Sequence, residues 1–195
     1  LRTEQLAAAF GIMGLHNVER VSAYAIHSQQ GQPWMLPPGS GRTKIRKLLS
    51  FLEGIQGGGS IPVEKAIETM LRFHRGRGIA VILSDFLTFG DVSRPLNLLY
   101  SAGLEVWGLQ VLAESEINPN VQGDLRFVDS ETQDTLDITN ASELLNVYHD
   151  QRIWLQEMLH SMCRSRQGRF MSVSSAQTLS SILFDHLCRQ GWVLR

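Results

Sequence analysis

The stretch GIAVILSDF, residues 78–86, is an apolar run that stops abruptly at a serine and an aspartate. A strand buried on both faces reads as a continuous apolar run rather than as an alternating one. The stretch therefore predicts a buried strand of a parallel sheet. Ligands of open α/β sheets bind in the loops at the carboxyl ends of such strands. Asp85 is thus either a site residue or the cap of the following turn, where aspartate is also common.

Helix and strand patterns alternate on both sides of this stretch. Toward the amino terminus, apolar spacing and turn residues predict a helix over residues 3–16, a strand over 20–28 and a short strand over 34–36, which Pro37 and Pro38 stop. Two helices follow, one over 43–55 and one from Pro62 through Leu71. Toward the carboxyl terminus, they predict a helix from Ser93 to Gly103, a strand over 104–112, a hairpin of LRFVD and TLDIT, a helix over 141–166, the strand RFMSVSS and a final helix over 176–190.

This alternation predicts an α/β fold with a doubly wound, mostly parallel sheet. The short strand over 34–36 would be an antiparallel edge beside the strand over 20–28. Since no internal repeat or low-complexity linker interrupts the order, residues 1–195 are predicted to form a single domain. One feature departs from the pattern, because the chain opens with a helix where this architecture normally opens with a strand.

The composition argues against several classes of protein. The chain has 195 residues, 43% of them hydrophobic and 19% charged, with a formal net charge of -1, which gives no support for a nucleic-acid binder. No apolar run is long enough to span a bilayer, and the first residues lack the layout of a signal peptide. Cys163 and Cys188 lie far apart without a CxxC pair, which favours two buried thiols and a cytoplasmic location, with one disulfide as the alternative.

No pattern for catalysis is complete in the sequence. The six histidines are scattered without HExxH spacing, and no GxSxG serine occurs. The loop GGGS, residues 57–60, lacks the Lys-Ser/Thr of a nucleotide-binding loop, and no strand ends in Asp-x-Asp. We therefore nominate no catalytic residue.

Trp34 is a candidate partner-binding residue, because an edge strand would expose its indole and exposed apolar groups mark interaction surfaces. A basic cluster follows it in the chain, and a solvated helix face is the interpretation of that cluster. Its members are Arg42, Lys44, Arg46 and Lys47.

Several stretches together resemble a known family. The order of elements, the GGGS loop before the third helix, and VILSDF followed by a helix resemble the von Willebrand factor A fold. More narrowly, VILSDFL, then SAGLEVWGLQVL with Glu116 and Pro119 after it, then the DLRFVDSET hairpin, are similar to the domain-of-unknown-function 58 family. The later helix with Tyr148 and the final RFMSVSS strand with its helix fit as well, so the resemblance covers essentially the whole chain.

The resemblance implies a metal-ion-dependent adhesion site. In the family pattern, Mg²⁺ is surrounded by oxygen ligands, which it prefers, from three loops. These loops carry Asp-x-Ser-x-Ser after the first strand, a threonine before the third helix and an aspartate after the fourth strand. Ser60 would stand for the threonine, and Asp85 matches the aspartate. Asp-x-Ser-x-Ser does not occur, and Asp91 with Ser93 carries only half of it after the wrong strand. Tight Mg²⁺ binding is therefore expected only where an upstream segment supplies the first loop.

The resemblance also implies that the first central strand is absent from this sequence. We expect the sequence to be an N-terminally truncated fragment of a longer chain. If it folds as given, either the strands over 20–28 and 78–84 pair directly, or a strand from a second copy fills the gap and gives a dimer by exchange.

The function that the resemblance implies is that of a non-catalytic adaptor. Such domains accompany MoxR-type AAA+ ATPases, and this one would act in assembly or maturation of a partner whose acidic side chain docks around Ser60 and Asp85. It would bind no nucleic acid and insert into no membrane. One alternative is a Mg²⁺-dependent enzyme acting on a phosphorylated small molecule, which an apolar pocket of roughly 300 Å³ or more behind Asp85 would favour. Another is a degenerate scaffold without metal, for which Asp85→Ala would change no binding.

Overall fold

A computed structural model describes residues 2–26, 33–56, 61–87, 92–119, 125–128, 135–138 and 141–193. The chain groups into two compact units. The first comprises Leu1–Gly76, Leu87–Asp91 and Thr178–Arg195, and the second comprises Arg77–Phe86 and Val92–Gln177. A single domain over residues 1–195 stays a prediction.

The first unit combines helices with one antiparallel strand pair. Its elements are α1 (Arg2–His16), β1 (Val21–Ala25), β2 (Trp34–Gly39), a 3-10 turn (Arg42–Lys44), α2 (Ile45–Glu53), α3 (Val63–Phe73) and a π-helix (Ser181–Cys188). The strands β1 and β2 pair antiparallel, with Ala25 opposite Trp34, which confirms the predicted pairing. The core of this unit is built from Leu15, Leu48, Phe51 and Leu52 of α1 and α2.

Two element boundaries in the first unit differ from the prediction. Strand β2 continues through Pro37 and Pro38 to Gly39 instead of stopping at Leu36. The two prolines are tolerated because they fall at the register shift between Val21 and Ala23, a bulge in which they together lie opposite a single residue. The last helix begins after Thr178 rather than at residue 176, since the Thr178 hydroxyl accepts the Ser181 N–H at 3.2 Å and acts as the cap.

The second unit is built around a parallel sheet. Its elements are β3 (Gly78–Ser84), α4 (Ser93–Ser101), β4 (Leu104–Leu112), α5 (Glu114–Ile117), β5 (Leu125–Val128), β6 (Thr135–Ile138), α6 (Ala141–Arg164) and β7 (Arg169–Ser174). The parallel sheet has the order β3-β4-β7, and β5 pairs with β6 as the predicted antiparallel hairpin. The mixed α/β class with a parallel sheet and a separate antiparallel pair is therefore confirmed. The short helix α5 was not predicted.

The central strand of the parallel sheet is β4, not β3. Along β4 only Glu105 and Val111 are less than fully buried, whereas no residue of β3 is buried and Ile79 is 52% exposed. In the described part of the chain β3 pairs with β4 alone, and β1 pairs with β2, so direct pairing of β1 with β3 is not observed. The strand is confirmed, but the expectation that it is buried is wrong for the described residues, because an apolar run does not show which strands lie beside it.

Both cysteines are free thiols, as predicted, and only Cys163 is fully buried. Among the helices that the structure describes, none is both long enough and apolar enough to cross a membrane.

Candidate functional site

Asp85 lies in a tight turn that directly follows β3. The next residue, Phe86, has a φ of 56°, a left-handed conformation that is uncommon for a bulky side chain. The Phe86 ring is 2% exposed and packs edge-to-face on Phe170 with 5.8 Å between ring centroids. The Ser84 hydroxyl accepts the Phe86 N–H at 3.0 Å. Burial of the ring and this hydrogen bond hold the turn, while the Asp85 side chain stays exposed.

A row of polar side chains supports the turn from behind. Ser84, Gln110 and Ser172 lie opposite one another across the three parallel strands. Gln110 is completely buried and donates its amide N–H to the Asp85 carbonyl at 2.7 Å. The Gln156 amide on α6 donates to Gln110 Oε1 at 2.9 Å and to Ser172 Oγ at 3.0 Å. The backbone of Asp85 is therefore held by Gln110, which Gln156 connects to Ser172. We call these three side chains, together with the neighbouring Ser84 that bonds the turn itself, the polar row.

Sequence reasoning missed the polar row, although one signal was present. Gln110 is a polar residue inside the otherwise apolar LEVWGLQVL run. Because a buried amide is costly unless it is hydrogen-bonded, a glutamine at that position indicates partners on neighbouring elements. The partners themselves, 46 residues away in the case of Gln156, cannot be read from local spacing.

The side chains at the turn give a partial donor set for a cation. The Ser84 hydroxyl lies 3.4 Å from Asp85 Oδ1, so two oxygens of the type that Mg²⁺ prefers are adjacent. Ser60 falls outside the described residues. Within the described ranges, no group of three or more His, Cys, Asp or Glu side chains is placed to hold a metal. Mg²⁺ demands about six oxygen ligands in octahedral geometry, so Asp85 and Ser84 alone do not complete a site for it.

Glu116 and Tyr148 play a structural part at the neighbouring strand end. The Glu116 carboxylate accepts the Ala113 N–H at 2.6 Å and so caps α5. The Tyr148 hydroxyl donates to the Glu116 carbonyl at 2.5 Å, which joins α6 to α5. Burial raises the pKa of Tyr148, the nearby Arg152 opposes that shift, and Glu116 adds to it.

Trp34 belongs to the first unit and forms part of a separate surface. Its side chain is 43% exposed, in keeping with the prediction for an edge strand. An open groove of about 480 Å³ lies beside it, which we call the Trp34 groove. The groove is lined by Trp34, Thr43, Arg46, Lys47, Ser50 and Phe51. Asp85 lies in the second unit, so the two surfaces are described separately.

Comparison with solved structures finds similar folds. Several solved chains resemble this one, among them the following two. Conserved hypothetical protein BatB from Bacteroides thetaiotaomicron has a TM-score of 0.54 at 13% identity, over 98% of this chain and 88% of that one. An aerotolerance-related membrane protein from Bacteroides fragilis, with multiple mutations to serines, has a TM-score of 0.53 at 16% identity, over 88% of this chain and 79% of that one. At these identities the likeness concerns the fold alone.

A search of curated proteins finds no match. The model of one family, described as protein of unknown function DUF58, matches residues 2–153, well over half of the sequence. The chain therefore belongs to the DUF58 family.

Proposed function

We propose that the chain is a von Willebrand A-like interaction domain that performs no catalysis. It docks a partner protein at the carboxyl end of β3 and works with a MoxR-type AAA+ ATPase in assembly or maturation of that partner. The observation that carries this proposal is the exposed Asp85 carboxylate on a turn whose backbone is fixed. A left-handed Phe86 costs free energy and persists only where its surroundings enforce it, and such positions cluster at ligand sites.

A rigid turn suits docking because a preorganised carboxylate loses little conformational entropy on binding. Gln110 holds the Asp85 carbonyl at 2.7 Å, and the buried Phe86 ring anchors the other side of the turn. Asp85 would repel an acidic side chain of a partner, so docking of that kind needs a cation between the two. Asp85 would contribute one oxygen ligand to Mg²⁺, and an Asp-x-Ser-x-Ser loop of the family pattern, where an upstream segment supplies it, would contribute others.

The proposal is tested by titrating Mg²⁺ and Mn²⁺ calorimetrically into two proteins. One is this chain, and the other carries in addition about 40 natural upstream residues, enough for a strand and its loops. We expect binding only in the longer protein and its loss in Asp85→Ala. The matched control is Asp150→Ala, which removes an exposed carboxylate from α6 and is expected to leave binding unchanged.

The partner is tested with a purified MoxR-type ATPase in a surface-binding assay, with Mg²⁺ and with EDTA. We expect binding that EDTA and Asp85→Ala both abolish. The proposal would be contradicted, and a scaffold favoured, if neither protein bound metal and Asp85→Ala left partner binding intact. Turnover of phosphorylated small molecules that requires Asp85 would favour the enzyme instead.

A further inference from the structure

The Trp34 groove has an aromatic wall that is fixed in place yet accessible. The Trp34 indole meets the Phe51 ring edge-to-face, with 6.0 Å between centroids and an interplanar angle of 84°. Gly54 permits this position, because a Cβ atom there would lie 3.1 Å from the indole Cη2. Contacts with α2 thus hold the indole while 43% of the residue remains exposed. A large, rigid aromatic surface of this kind is a favourable anchor for a binding partner.

The groove is also positive, since Arg46 and Lys47 belong to its lining. Both are exposed, as are the other two cations of the basic cluster, Arg42 and Lys44, in the 3-10 turn just before α2. Aligned peptide dipoles already make a helix amino terminus positive, so cations there are unfavourable without a counter-charge. In the described part of the chain, no carboxylate forms an ion pair with any of the four. Since the whole chain has a net charge of -1, this is a local concentration of positive charge.

Two exposed hydroxyls complete the lining, those of Thr43 and Ser50. The groove therefore offers an apolar wall, cations and hydrogen-bonding groups on one open surface of about 480 Å³. We propose that the Trp34 groove binds an acidic peptide segment of a partner protein. A hydrophobic side chain of the segment would pack on Trp34, and neighbouring carboxylates would pair with Arg46 and Lys47. Capture of acidic motifs by clustered cations is a recurrent mode of peptide recognition.

Other anionic partners fit the same residues less well. A bilayer would satisfy cations spread over a broad face, whereas these four surround one helix end. A nucleic acid needs cations along the track of its backbone, whereas this near-neutral chain has only short, separate clusters such as those over residues 42–47 and 72–77. An acidic peptide satisfies the charge and fills the apolar wall at the same time. This inference does not rest on the Asp85 proposal, because the groove belongs to the other unit.

The test is fluorescence anisotropy with a labelled peptide of alternating Glu and Asp around one central Leu. We expect saturable binding that weakens from 50 to 300 mM salt, roughly the range over which the screening length shortens appreciably. The double charge reversal Arg46→Glu with Lys47→Glu should reduce affinity at least about tenfold, as truncating paired charges does at interfaces. Trp34→Ala should reduce it about fivefold or more, as expected for an aromatic anchor.

Three controls make the outcome decisive. Lys65→Glu reverses an exposed cation on α3 and should leave affinity within about twofold, since screened charges away from the site contribute little. Asp85→Ala should also leave it unchanged, which separates failure here from failure of the Asp85 proposal. The neutral double variant Arg46→Gln with Lys47→Gln is tested as well, in case the charge reversal disturbs folding. Circular dichroism checks that this variant is folded.

Equal affinity of the charge-reversed and original proteins would overturn the inference. So would failure of the peptide to bind while an oligothymidine or phosphatidylglycerol vesicles bind.

Discussion

Gln110 is the residue on which the Asp85 turn depends most directly. We predict that Gln110→Leu, which keeps a similar volume, lowers the free energy of unfolding by about 1–3 kcal/mol, because the Asp85 carbonyl and the Gln156 amide lose a partner. The double variant with Gln156→Leu should cost less than the sum of the single changes, since the two side chains share one hydrogen bond. Urea unfolding at unchanged m-value measures this. A strictly additive double variant would refute the coupling.

Cys163 gives a prediction about pH. Burial raises the pKa of the Cys163 thiol to about 11 from its ordinary value of 9.0, and the nearby Arg166 opposes this shift only in part. The folded state thus favours the protonated thiol, so its contribution to stability is complete below pH 9.0 and is lost as the pH rises toward 11.

We expect the free energy of unfolding to fall by about 2 kcal/mol more in the original protein than in Cys163→Ala across that range. Urea unfolding at a series of pH values measures the difference between the two. Parallel pH profiles would show that the thiol is not protected in the folded state.

At the scale of elements, the sequence predicts positions better than neighbours. The runs over 78–86 and 104–112 and the RFMSVSS stretch all contribute strands to one parallel sheet, because short apolar stretches bounded by turn residues and rich in β-branched or aromatic residues favour strands over helices. The same pattern could not say that β4 is central and β3 an edge. Nor could it show the left-handed backbone conformation of Phe86, because bulky residues rarely adopt a positive φ. Exposure of Asp85 was predictable from the strand end, whereas its support by the polar row was not.

Gly168 controls how closely β7 can approach β4. A Cβ atom at this position would lie within 2.3 Å of the Val106 carbonyl oxygen, a backbone atom that cannot turn away. We predict that Gly168→Ala destabilises the protein by about 2 kcal/mol or more, in the range seen for overpacked sites. Ser161→Ala, an exposed change on α6, is the control and should shift the thermal midpoint little. Equal midpoints for the two variants would argue against this contact.

For the whole molecule, the edge of β3 leads to a prediction about association. This edge is apolar, and the described strand contains no lysine, proline or bulge of the kind that protects natural edges. We expect reversible, concentration-dependent dimers by strand exchange, detected by sedimentation. Ile79→Lys should weaken them because it places a charge on the edge. Phe73→Lys changes a similarly exposed apolar residue at the end of α3 and should not. A monomer at every concentration would rule out the exchange.

The order of strands also bears on how the protein is made. On the ribosome, β3 and β4 emerge close together, but the second neighbour of β4 emerges only after the whole of α6. Throughout that interval the nascent chain displays an apolar strand with one unpaired side, the kind of surface that chaperones cover and that aggregates when they do not. The family match ends at residue 153, before β7 has begun. Recombinant versions cut at that boundary would leave this strand side unpaired permanently, so expression trials should retain both β7 and the helix Ser181–Cys188, whose Ile182 and Leu187 are buried.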